Sequence, residues 1–582
     1  MLLILCAVVA YAPAISAGFI WDDNILLTAN TNVTSPHGLV TTWEGKNSRE
    51  YTPLSTSSFW LEWRLWGDSP TGYHIVNILL HALSAVLLWL ILETLGIPGA
   101  WLAALLFAIH PMGVASVAWV AERKNALSSA LFLASILSFL RAQRRPDSRL
   151  YIASIALFLL AGFSKGSVVT LPLVLLGCLL WMNRKITARD LVRLIPFALI
   201  ALLTTWFTVR YQMRADHYGL IPDGFPYRIA RAGYAVWHYL GVIFLPLSLS
   251  PMCPQWLLDL HSLTAWLPAL GVLAVGAVCF WKRKSWGRPL SFAYGYFLWM
   301  LLPVLGFVWM TLQQETPCAD WWLYLAAPGI LAGVAAAFTL ALKNASQCRK
   351  PVLQGLLSGV IVWLFVQTWH RCAIYESMET YCRAVLAENP HAWSMQNNLG
   401  VVLKQRGDFA GAAACYRLAL QDNPHFMEAQ NNLGNALGAL GDLPGAEAEF
   451  RAALELHPEN PGILANLAQA CFHEGKIKEA FGAQAAAIKA DRANPALYNQ
   501  FGLMLASNKQ FDQAAVCFRD GVALAPGDIG IQINLTRALL AAGHREEAAT
   551  AAEQALQTAR KSGNEKLIQM VSSILNQTRQ HD

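Results

Sequence analysis

The second part of the chain repeats itself with a period of 34 residues. Prolines recur at this step, and so does a tripeptide made of an amide residue, a large apolar residue and a small residue. The prolines are Pro390, Pro424, Pro458 and Pro526, and the tripeptides begin at Asn398, Asn432, Asn466, Gln500 and Asn534. A fixed period of this length restricts the fold strongly, because each unit must be one small element that stacks on the next.

A second pattern indicates two helices in each unit. Alanine recurs at a fixed distance after the apolar position of the tripeptide, and three units also carry an aromatic residue four positions later. These residues are Ala412, Ala446, Ala480, Ala514 and Ala548, and Tyr416, Phe450 and Phe518. The pattern is typical of the tetratricopeptide repeat (TPR), whose helix pairs stack into a superhelix with a concave face. We predict about five units, with a protein or peptide bound on the concave face of residues 391–556. A rigid spacer or a dimerisation surface is the alternative.

The first part of the chain is a series of long apolar runs. The whole chain is 55% hydrophobic and 14% charged, whereas about 25% of the residues of a soluble protein are charged. A membrane-spanning helix needs about 20 apolar residues, and the runs predict about eleven spans. We therefore predict an all-α chain. A multi-spanning membrane domain of residues 1–370, with an outer loop at 18–73, precedes a TPR α-solenoid at 371–582.

Charge and cysteine content exclude several classes of function. The net charge of +6 is explained by basic membrane loops, so we expect no nucleic-acid partner. The 11 cysteines include no Cys-x-x-Cys pair and no Cys/His zinc spacing. We therefore expect neither a disulfide framework nor a cysteine metal site.

Basic loops predict which side of the membrane each span end faces. Lys and Arg cluster at 141–145, 183–185, 281–284 and 347–350, and such clusters favour the cytoplasm. All four share one side only if segment 228–248 does not cross, so we interpret that segment as a re-entrant or interfacial helix. The amino terminus is then inside, and the repeat domain is outside.

Two carboxylates and a polar helix face lie where this orientation makes them notable. Asp22 and Asp23 follow the first apolar segment on the outer side, where burying charge beside lipid is costly. They are either a polar end to that segment or a catalytic or metal-binding pair. His74, Asn77 and His81 share one helical face. With His110, they serve either helix packing or a functional site.

Basic residues on the outer side are also unusual. Arg123, Lys124 and Lys165 are predicted to lie there, where positive charge is normally scarce. Such side chains are suited to binding phosphate. Asp320, at the outer boundary of a later span, is expected either to pair with Lys165 or Arg123 or to act chemically.

Several short motifs, taken together, resemble the TMTC family of transmembrane and TPR-containing proteins and its bacterial relatives. The motifs are Trp21-Asp22-Asp23, Tyr51–Leu54, Pro70–His81, His110-Pro111 with Ser116–Lys124, Ser164-Lys165 and Ala319–Leu325. The resemblance extends over essentially the whole chain, including the order of membrane domain and repeats.

This resemblance implies a GT-C glycosyltransferase, which moves mannose from a polyprenyl-phosphate carrier such as dolichyl phosphate mannose to Ser or Thr of proteins on the outer side. Asp22 and Asp23 correspond to the acidic motif, and one of them would be the general base for the acceptor hydroxyl. The residues implied to bind the lipid phosphate or the donor are Lys165, Arg123, Lys124, Asp320 and Tyr324.

The chain departs from the family pattern at four positions. Ala115 stands where the family usually has Glu, Asn125 where it has Asp, and Thr52 and Trp321 where it has Arg. A non-catalytic TPR membrane scaffold is therefore the alternative function. A transporter is disfavoured, because the apolar runs show no internal symmetry and no paired interrupted helices.

The resemblance also indicates a location and a donor. We expect a bacterial plasma membrane with a periplasmic repeat domain; the alternative is the endoplasmic reticulum membrane with the repeats in the lumen. No cofactor is firmly implied besides the polyprenyl-phosphate sugar donor. If a divalent cation is held, Asp22 and Asp23 are the expected ligands.

Overall fold

The computed structural model describes residues 1–46, 50–145, 147–182, 185–212, 224–247, 249–307 and 310–579. Within these residues helices are the only regular secondary structure, and the prediction of an all-α chain is confirmed. The chain forms two compact units, Met1–Leu399 and Gly400–Asp582. The expected domain boundary near residue 370 falls within unit 1.

Unit 1 contains helices that vary widely in length. They are α1 Leu2–Ala10, α2 Thr31–Thr34, α3 Gly38–Trp43, α4 Pro53–Trp66, α5 Pro70–Thr94, α6 Ala100–Ile109, α7 Val114–Ala118, α8 Arg123–Arg144, α9 Ser148–Ser164, α10 Leu171–Trp181, α11 Ala188–Gln212, α12 Phe225–Phe244, α13 Leu267–Trp281, α14 Gly287–Leu301, α15 Ala327–Asn344, α16 Arg349–Cys372 and α17 Met378–Glu388. Helix α18, Trp393–Gln405, crosses into unit 2.

Five helical segments in the described residues are long and apolar enough to cross a membrane. They are Pro70–Thr94, Val120–Arg144, Ala188–Tyr211, Ala327–Asn344 and Arg349–Tyr375. A sixth span is possible if α6 and the segment Pro111–Ala118 count together, although these are bent by 56°. The expected number of about eleven spans is not confirmed, because α9, α10 and α13 are apolar but shorter.

The bend after α6 has a local cause. Pro111 has no backbone N–H and cannot continue the preceding helix. The His110 side chain bonds both to the chain after the break and to α12. Its Nδ1 accepts from the Met112 amide at 3.2 Å, and its Nε2 lies 3.0 Å from the Ile243 carbonyl oxygen in α12. A buried polar side chain thus joins the bend to α12.

The membrane helices of unit 1 have two distinct ends. At one end, Arg123 at the start of α8 donates to the Tyr73 carbonyl near the start of α5, at 3.0 Å. At the other end, Arg144 in the last turn of α8 donates to the Thr94 carbonyl. The basic cluster at 141–145 therefore lies at the end away from Arg123, although residue 146 and the cluster residues 183 and 184 lie outside the described residues.

Unit 2 is built from paired helices. They are α19 Phe409–Asp422, α20 Met427–Ala439, α21 Leu443–Leu456, α22 Pro461–His473, α23 Ile477–Ala490, α24 Pro495–Ser507, α25 Phe511–Leu524, α26 Ile529–Ala542, α27 Arg545–Ser562 and α28 Glu565–Arg579. The helices alternate at the predicted step, which confirms the TPR repeats.

Small residues allow each helix pair to pack closely. A Cβ atom on Gly434 would lie 2.7 Å from the ring of Phe450, and one on Gly502 would lie 2.5 Å from the ring of Phe518. Both aromatic side chains are buried. Glycine recurs at a fixed distance before the aromatic residue because the aromatic ring occupies the space that a larger side chain would need.

Candidate active site

The segment that carries the two carboxylates has a strained backbone. Trp21 has a φ angle of +43°, a region that bulky residues rarely adopt. The loop is held by bonds to the segment before and within α17: the Gly18 amide donates to the Glu376 carbonyl at 3.0 Å, and the Trp21 amide lies 3.1 Å from Met378 Sδ. The Trp21 ring also stacks on Trp119, with centroids 5.1 Å apart. Strain of this kind persists only where the surroundings determine the conformation.

Asp23 anchors this loop. Its Oδ2 accepts from the Ile20 amide at 2.8 Å and its Oδ1 from the Ala121 amide at 2.6 Å. The side chain is buried, and burial raises its pKa well above the usual value, against the opposing effect of these two hydrogen bonds. Both carboxylate oxygens are thus committed to backbone amides.

Asp22 differs from its neighbour in being partly exposed. It interacts electrostatically with both Asp23 and Lys124. The adjacent pair is therefore divided: Asp23 is buried, and Asp22 is partly exposed and influences the charge of Lys124. The sequence alone did not distinguish the two.

Two lysines and two further carboxylates form a cluster next to this loop. Glu122 is 1% exposed; its Oε2 lies 3.5 Å from Lys165 Nζ and its Oε1 lies 3.7 Å from Lys124 Nζ. Glu50 Oε2 lies 3.2 Å from Lys124 Nζ. We call Glu50, Glu122, Lys124 and Lys165 the lysine cluster.

The charges within the lysine cluster influence one another. Burial lowers the pKa of Lys165, and the Glu122 carboxylate opposes that shift. The Lys124 ammonium lowers the pKa of the Glu50 carboxyl. Both lysine side chains remain partly exposed, at 15% and 16%.

Sequence reasoning did not select Glu122 or Glu50 for this site. Glu122 offered a signal, because it directly precedes Arg123 and Lys124 in a segment that resembles the TMTC family. Glu50 offered none. It lies in an irregular part of the outer loop, and only folding brings it to Lys124.

Asn125 links the lysine cluster to the rest of unit 1. Its Oδ1 accepts from Lys165 Nζ, while its Nδ2 donates to Ser116 Oγ at 3.1 Å and to the Trp321 carbonyl at 3.0 Å. A neutral amide therefore bonds to Lys165. Ala115, the other position where the resemblance led us to expect a carboxylate, is fully buried.

Arg123, expected to bind a lipid phosphate, has a different environment from the two lysines. Its side chain is 1% exposed and forms a bidentate ion pair with Glu62, in which Nη2 to Oε2 measures 3.1 Å. It also donates to Asn77 Oδ1 and to the Tyr73 carbonyl. These bonds occupy the guanidinium inside the protein, so Lys124 and Lys165 are the accessible cations.

The predicted polar face is buried and bonded to backbone carbonyls. The contacts are His74 Nε2 to Ala17 at 3.1 Å, Asn77 Nδ2 to Trp119 at 3.2 Å, His81 Nε2 to Ala108 at 3.1 Å and His110 Nε2 to Ile243 at 3.0 Å. Tyr324 bonds to the other nitrogen of His81, Nδ1, at 2.7 Å. These residues satisfy carbonyls at interrupted helices, which is a structural function.

Asp320 pairs with neither Lys165 nor Arg123. It is buried and forms an ion pair with Arg371 near the end of α16. Burial raises the pKa of Asp320 to about 6 and outweighs the opposing effect of Arg371. No local sequence pattern connects Asp320 with Arg371, which lies 51 positions later.

Cysteine pairing also differs from the sequence expectation. Cys253 and Cys318 form a disulfide, with their Cα atoms 5.6 Å apart, where no disulfide framework was expected. Their separation of 65 residues follows none of the short spacings that identify paired cysteines in a sequence. His238 Nε2 lies 3.3 Å from Cys253 Sγ.

The other carboxylates of the loop and of the lysine cluster already have partners. Both oxygens of Asp23 already accept backbone hydrogen bonds, and Glu122 and Glu50 face lysine ammonium groups. Within the described part of the chain, no group of three possible ligands includes Asp22 or Asp23.

Comparison with known proteins gives matches in both units. Residues 52–210 match the family described as dolichyl-phosphate-mannose-protein mannosyltransferase. Residues 400–441, 431–495 and 530–554 match tetratricopeptide-repeat families. A solved crystal structure of MamA protein covers 29% of this chain and 93% of its own, with 23% identity and a TM-score of 0.27.

Similar proteins occur among protein O-mannosyl-transferases. Tmtc1 of Drosophila melanogaster is 31% identical over 177 residues, which are 28% of this chain and 20% of that protein. Human TMTC3 is 30% identical over 158 residues, 25% of this chain and 17% of that protein. The chain thus spans about a fifth of the length of these curated relatives. The resemblance to TMTC proteins is confirmed.

Proposed function

We propose that this chain is a membrane glycosyltransferase that moves a mannose-like sugar from a polyprenyl-phosphate carrier to a hydroxyl group, such as that of Ser or Thr in a protein, on the outer side of the membrane. One observation carries the proposal: the accessible carboxylate of Asp22 interacts with Lys124, which shares Glu122 with Lys165. Both lysines belong to residues 52–210, the segment similar to the mannosyltransferase family.

Asp22 is the proposed general base. The acceptor oxygen attacks the anomeric carbon of the sugar, the bond from that carbon to the phosphate oxygen breaks, and the acceptor proton passes to the Asp22 carboxylate. A positioned base of this kind typically accelerates a reaction by about 10²–10⁴-fold. Asp23 is unsuited to the task, because its two oxygens are bonded to the Ile20 and Ala121 amides.

Lys124 and Lys165 are the proposed partners of the leaving group. As the bond breaks, the departing polyprenyl phosphate gains negative charge, which nearby ammonium groups stabilise. Glu122 lies between the lysines and holds them together, and Glu50 also pairs with Lys124. Because Asn125 is neutral, it bonds to Lys165 without adding a further negative charge to the cluster.

Arg123 and Asp320 have positioning roles in this proposal. Arg123 fixes α4 through Glu62 and α5 through the Tyr73 carbonyl, which supports the segment that precedes Lys124. Asp320 fixes the segment before α15 through Arg371. Tyr324 acts on His81 in the same way. These residues would support the donor site without contacting the phosphate.

The repeat unit is the proposed binding site for the acceptor or a partner protein. Asparagine side chains from successive repeats bond to one another: Asn466 donates to Asn431 and Asn534 donates to Asn499, each at 2.9 Å. A row of side-chain amides offers both donors and acceptors to the backbone of an extended peptide. This supports the assignment of residues 391–556 to partner binding.

The proposed location is a bacterial plasma membrane with the repeats in the periplasm, and the endoplasmic reticulum is the alternative. The position of the 141–145 cluster, at the α8 end opposite Arg123, supports an orientation in which the lysine cluster faces outward.

A transfer assay tests the proposal. Membranes containing the full chain are incubated with polyprenyl phosphate carrying radiolabelled mannose, and label in protein is measured. The wild type should transfer label, the Asp22→Asn variant should lose activity by about 10²-fold or more, and the Glu44→Gln variant, altered at an exposed carboxylate of the same outer loop, should match the wild type. Equal labelling by the wild type and Asp22→Asn would refute a catalytic role for Asp22.

The second candidate is a non-catalytic scaffold, favoured by the neutral residues Ala115 and Asn125 next to the site. It predicts that no variant of Asp22 or Lys165 changes partner capture and that membranes transfer no label. Partner capture is therefore measured with the wild type and with variants of Asp22 and Lys165, beside the transfer assay. Capture without transfer of label by the wild type indicates a scaffold, and transfer of label that these variants lose indicates an enzyme.

A further inference from the structure

Three separate segments of unit 1 meet around the disulfide. The Cys253 amide donates to the Cys318 carbonyl at 3.2 Å. Asn389, at the end of α17, donates from Nδ2 to the Cys253 carbonyl, also at 3.2 Å. Arg371 donates to the Leu249 carbonyl at 2.8 Å. The disulfide therefore sits where the segment after α12, the segment before α15 and the segment after α16 are joined.

The surroundings of the disulfide are internal. Cys253 is 3% exposed and Cys318 is fully buried. Asp320, two residues after Cys318, is also buried, and its partner Arg371 belongs to the same group of segments. A cross-link at this point ties the Asp320 segment to its neighbours covalently as well as by hydrogen bonds.

Another cysteine marks the opposite end of the same helices. Cys348 is exposed in the turn between α15 and α16. α15 begins soon after Asp320 and has 18 residues, and α16 ends beside Arg371 and has 24 residues. At 1.5 Å per residue these helices are about 27 and 36 Å long. Cys348 is thus separated from the disulfide by about the thickness of a membrane.

Disulfides form and persist in oxidising compartments and are rare in the cytosol. We propose that Cys253 and Cys318 are oxidised by a thiol oxidant that carries a disulfide, in the compartment on the outer side of the membrane. The end of unit 1 that bears Asp320 therefore faces that compartment, and Cys348 faces the cytoplasm. This assignment rests on the disulfide and on helix direction, so it is independent of the proposed transfer activity.

The oxidation is a two-electron exchange. One thiol, after losing its proton, attacks the oxidant's disulfide and releases one of the oxidant's thiolates. The second thiolate then attacks the cysteine sulfur of the mixed disulfide, which forms the Cys253–Cys318 bond and releases the oxidant's other thiolate. The two cysteines together lose two protons and two electrons, and the oxidant becomes a dithiol. Because both cysteines are buried in the folded protein, the exchange takes place before these segments close.

Thiol counting in the full-length protein tests the disulfide. Cells are quenched in acid, free thiols are blocked with N-ethylmaleimide under denaturing conditions, and the protein is then reduced and treated with a polyethylene glycol maleimide. We expect two adducts in the wild type, none in Cys253→Ser or Cys318→Ser, and two in the control Cys348→Ser. The absence of adducts in the wild type would overturn the proposal.

Two further measurements test the compartment and the burial. In spheroplasts, an impermeant maleimide should label Cys348 only after the membrane is permeabilised, when measured in a variant with Cys6, Cys415 and Cys517 replaced by Ser. Labelling of Cys348 beforehand would overturn the assigned orientation. A reductant should reduce the Cys253–Cys318 disulfide efficiently only when a denaturant is present. Since neither experiment measures sugar transfer, an inactive but correctly oxidised protein would refute only the proposed function, and an active protein with free thiols would refute only this inference.

Discussion

Replacing Asp22 and Asp23 one at a time should separate the chemistry of the site from the stability of its loop. Asp22 is accessible and interacts with Lys124, whereas both oxygens of Asp23 accept backbone hydrogen bonds. The Asp22→Asn variant removes the proposed base but keeps the shape of the side chain. It should lower the rate of transfer by about 10²–10⁴-fold, which corresponds to about 3–5 kcal/mol in activation free energy, with an unchanged melting temperature.

The Asp23→Asn variant should behave differently. An amide has one acceptor oxygen, so either the Ile20 N–H or the Ala121 N–H is left facing the new NH₂ group. A buried donor without a partner costs about 1–3 kcal/mol, so the free energy of unfolding should fall by that amount. Activity should fall together with stability, because Trp21 and Asp22 depend on this anchor.

The assay combines two measurements on purified full-length protein in detergent. Thermal unfolding gives the stability, and the initial rate of mannose transfer gives the activity; Glu44→Gln serves as the control. The reasoning is refuted if Asp22→Asn is destabilised and Asp23→Asn is not, or if Asp23→Asn loses activity by 10²-fold with full stability at every temperature examined.

Three other predictions concern charge, pH and backbone conformation. Burial lowers the pKa of Lys165. Transfer that needs the ammonium form should therefore decline with rising pH before the pH reaches the usual lysine pKa of about 10.4. In a profile of rate against pH, Lys165→Arg should move this decline to higher pH, and Lys165→Gln should slow transfer at every pH. The pKa of Asp320 is raised to about 6, so the folded state binds the proton more tightly than the unfolded state does. The free energy of unfolding should therefore fall as the pH rises from about 4 to 6. In Asp320→Asn, the melting temperature should not show this decline with pH. Lys509 has a φ angle of +63° at the position where other repeats have Gly407, Gly441, Gly475 and Gly543. Lys509→Gly should relieve about 1 kcal/mol of backbone strain and raise the melting temperature of the repeat unit. A lower melting temperature would contradict this.

The repeat unit was largely predictable because its information is local. A 34-residue period fixes the helix pairs, and the small and aromatic positions identify their contacts. Gly434 and Phe450, for example, come from two helices of the same repeat and lie against each other. No distant part of the chain is needed to understand them.

The site in unit 1 was only partly predictable. The acidic pair and the two lysines were found because charge is rare beside apolar segments. Their division into buried and accessible members depends on contacts distant in sequence, such as Asp23 with Ala121 and Arg123 with Glu62. A side chain's charge alone does not indicate whether an internal partner has already occupied it.

The spans and the disulfide show the same limit. Apolar composition identifies these helices, but α9 and α10 are shorter than the helices that are long enough to cross a membrane. Cys253 and Cys318 come together because α12 and the helices after it fold back to one end of the unit. Neither feature has a local sequence pattern.

The central claim is that Asp22 and the two lysines drive sugar transfer from a polyprenyl phosphate. Its most direct test is the stoichiometry of the reaction in liposomes that contain only the purified protein, polyprenyl phosphate mannose and an acceptor peptide. We predict one polyprenyl phosphate released for each mannose attached to the peptide, with both products reduced at least about 10²-fold in Asp22→Asn. Equal release and attachment by wild type and Asp22→Asn, or no mannose on any acceptor peptide while the protein still binds that peptide, would contradict the claim.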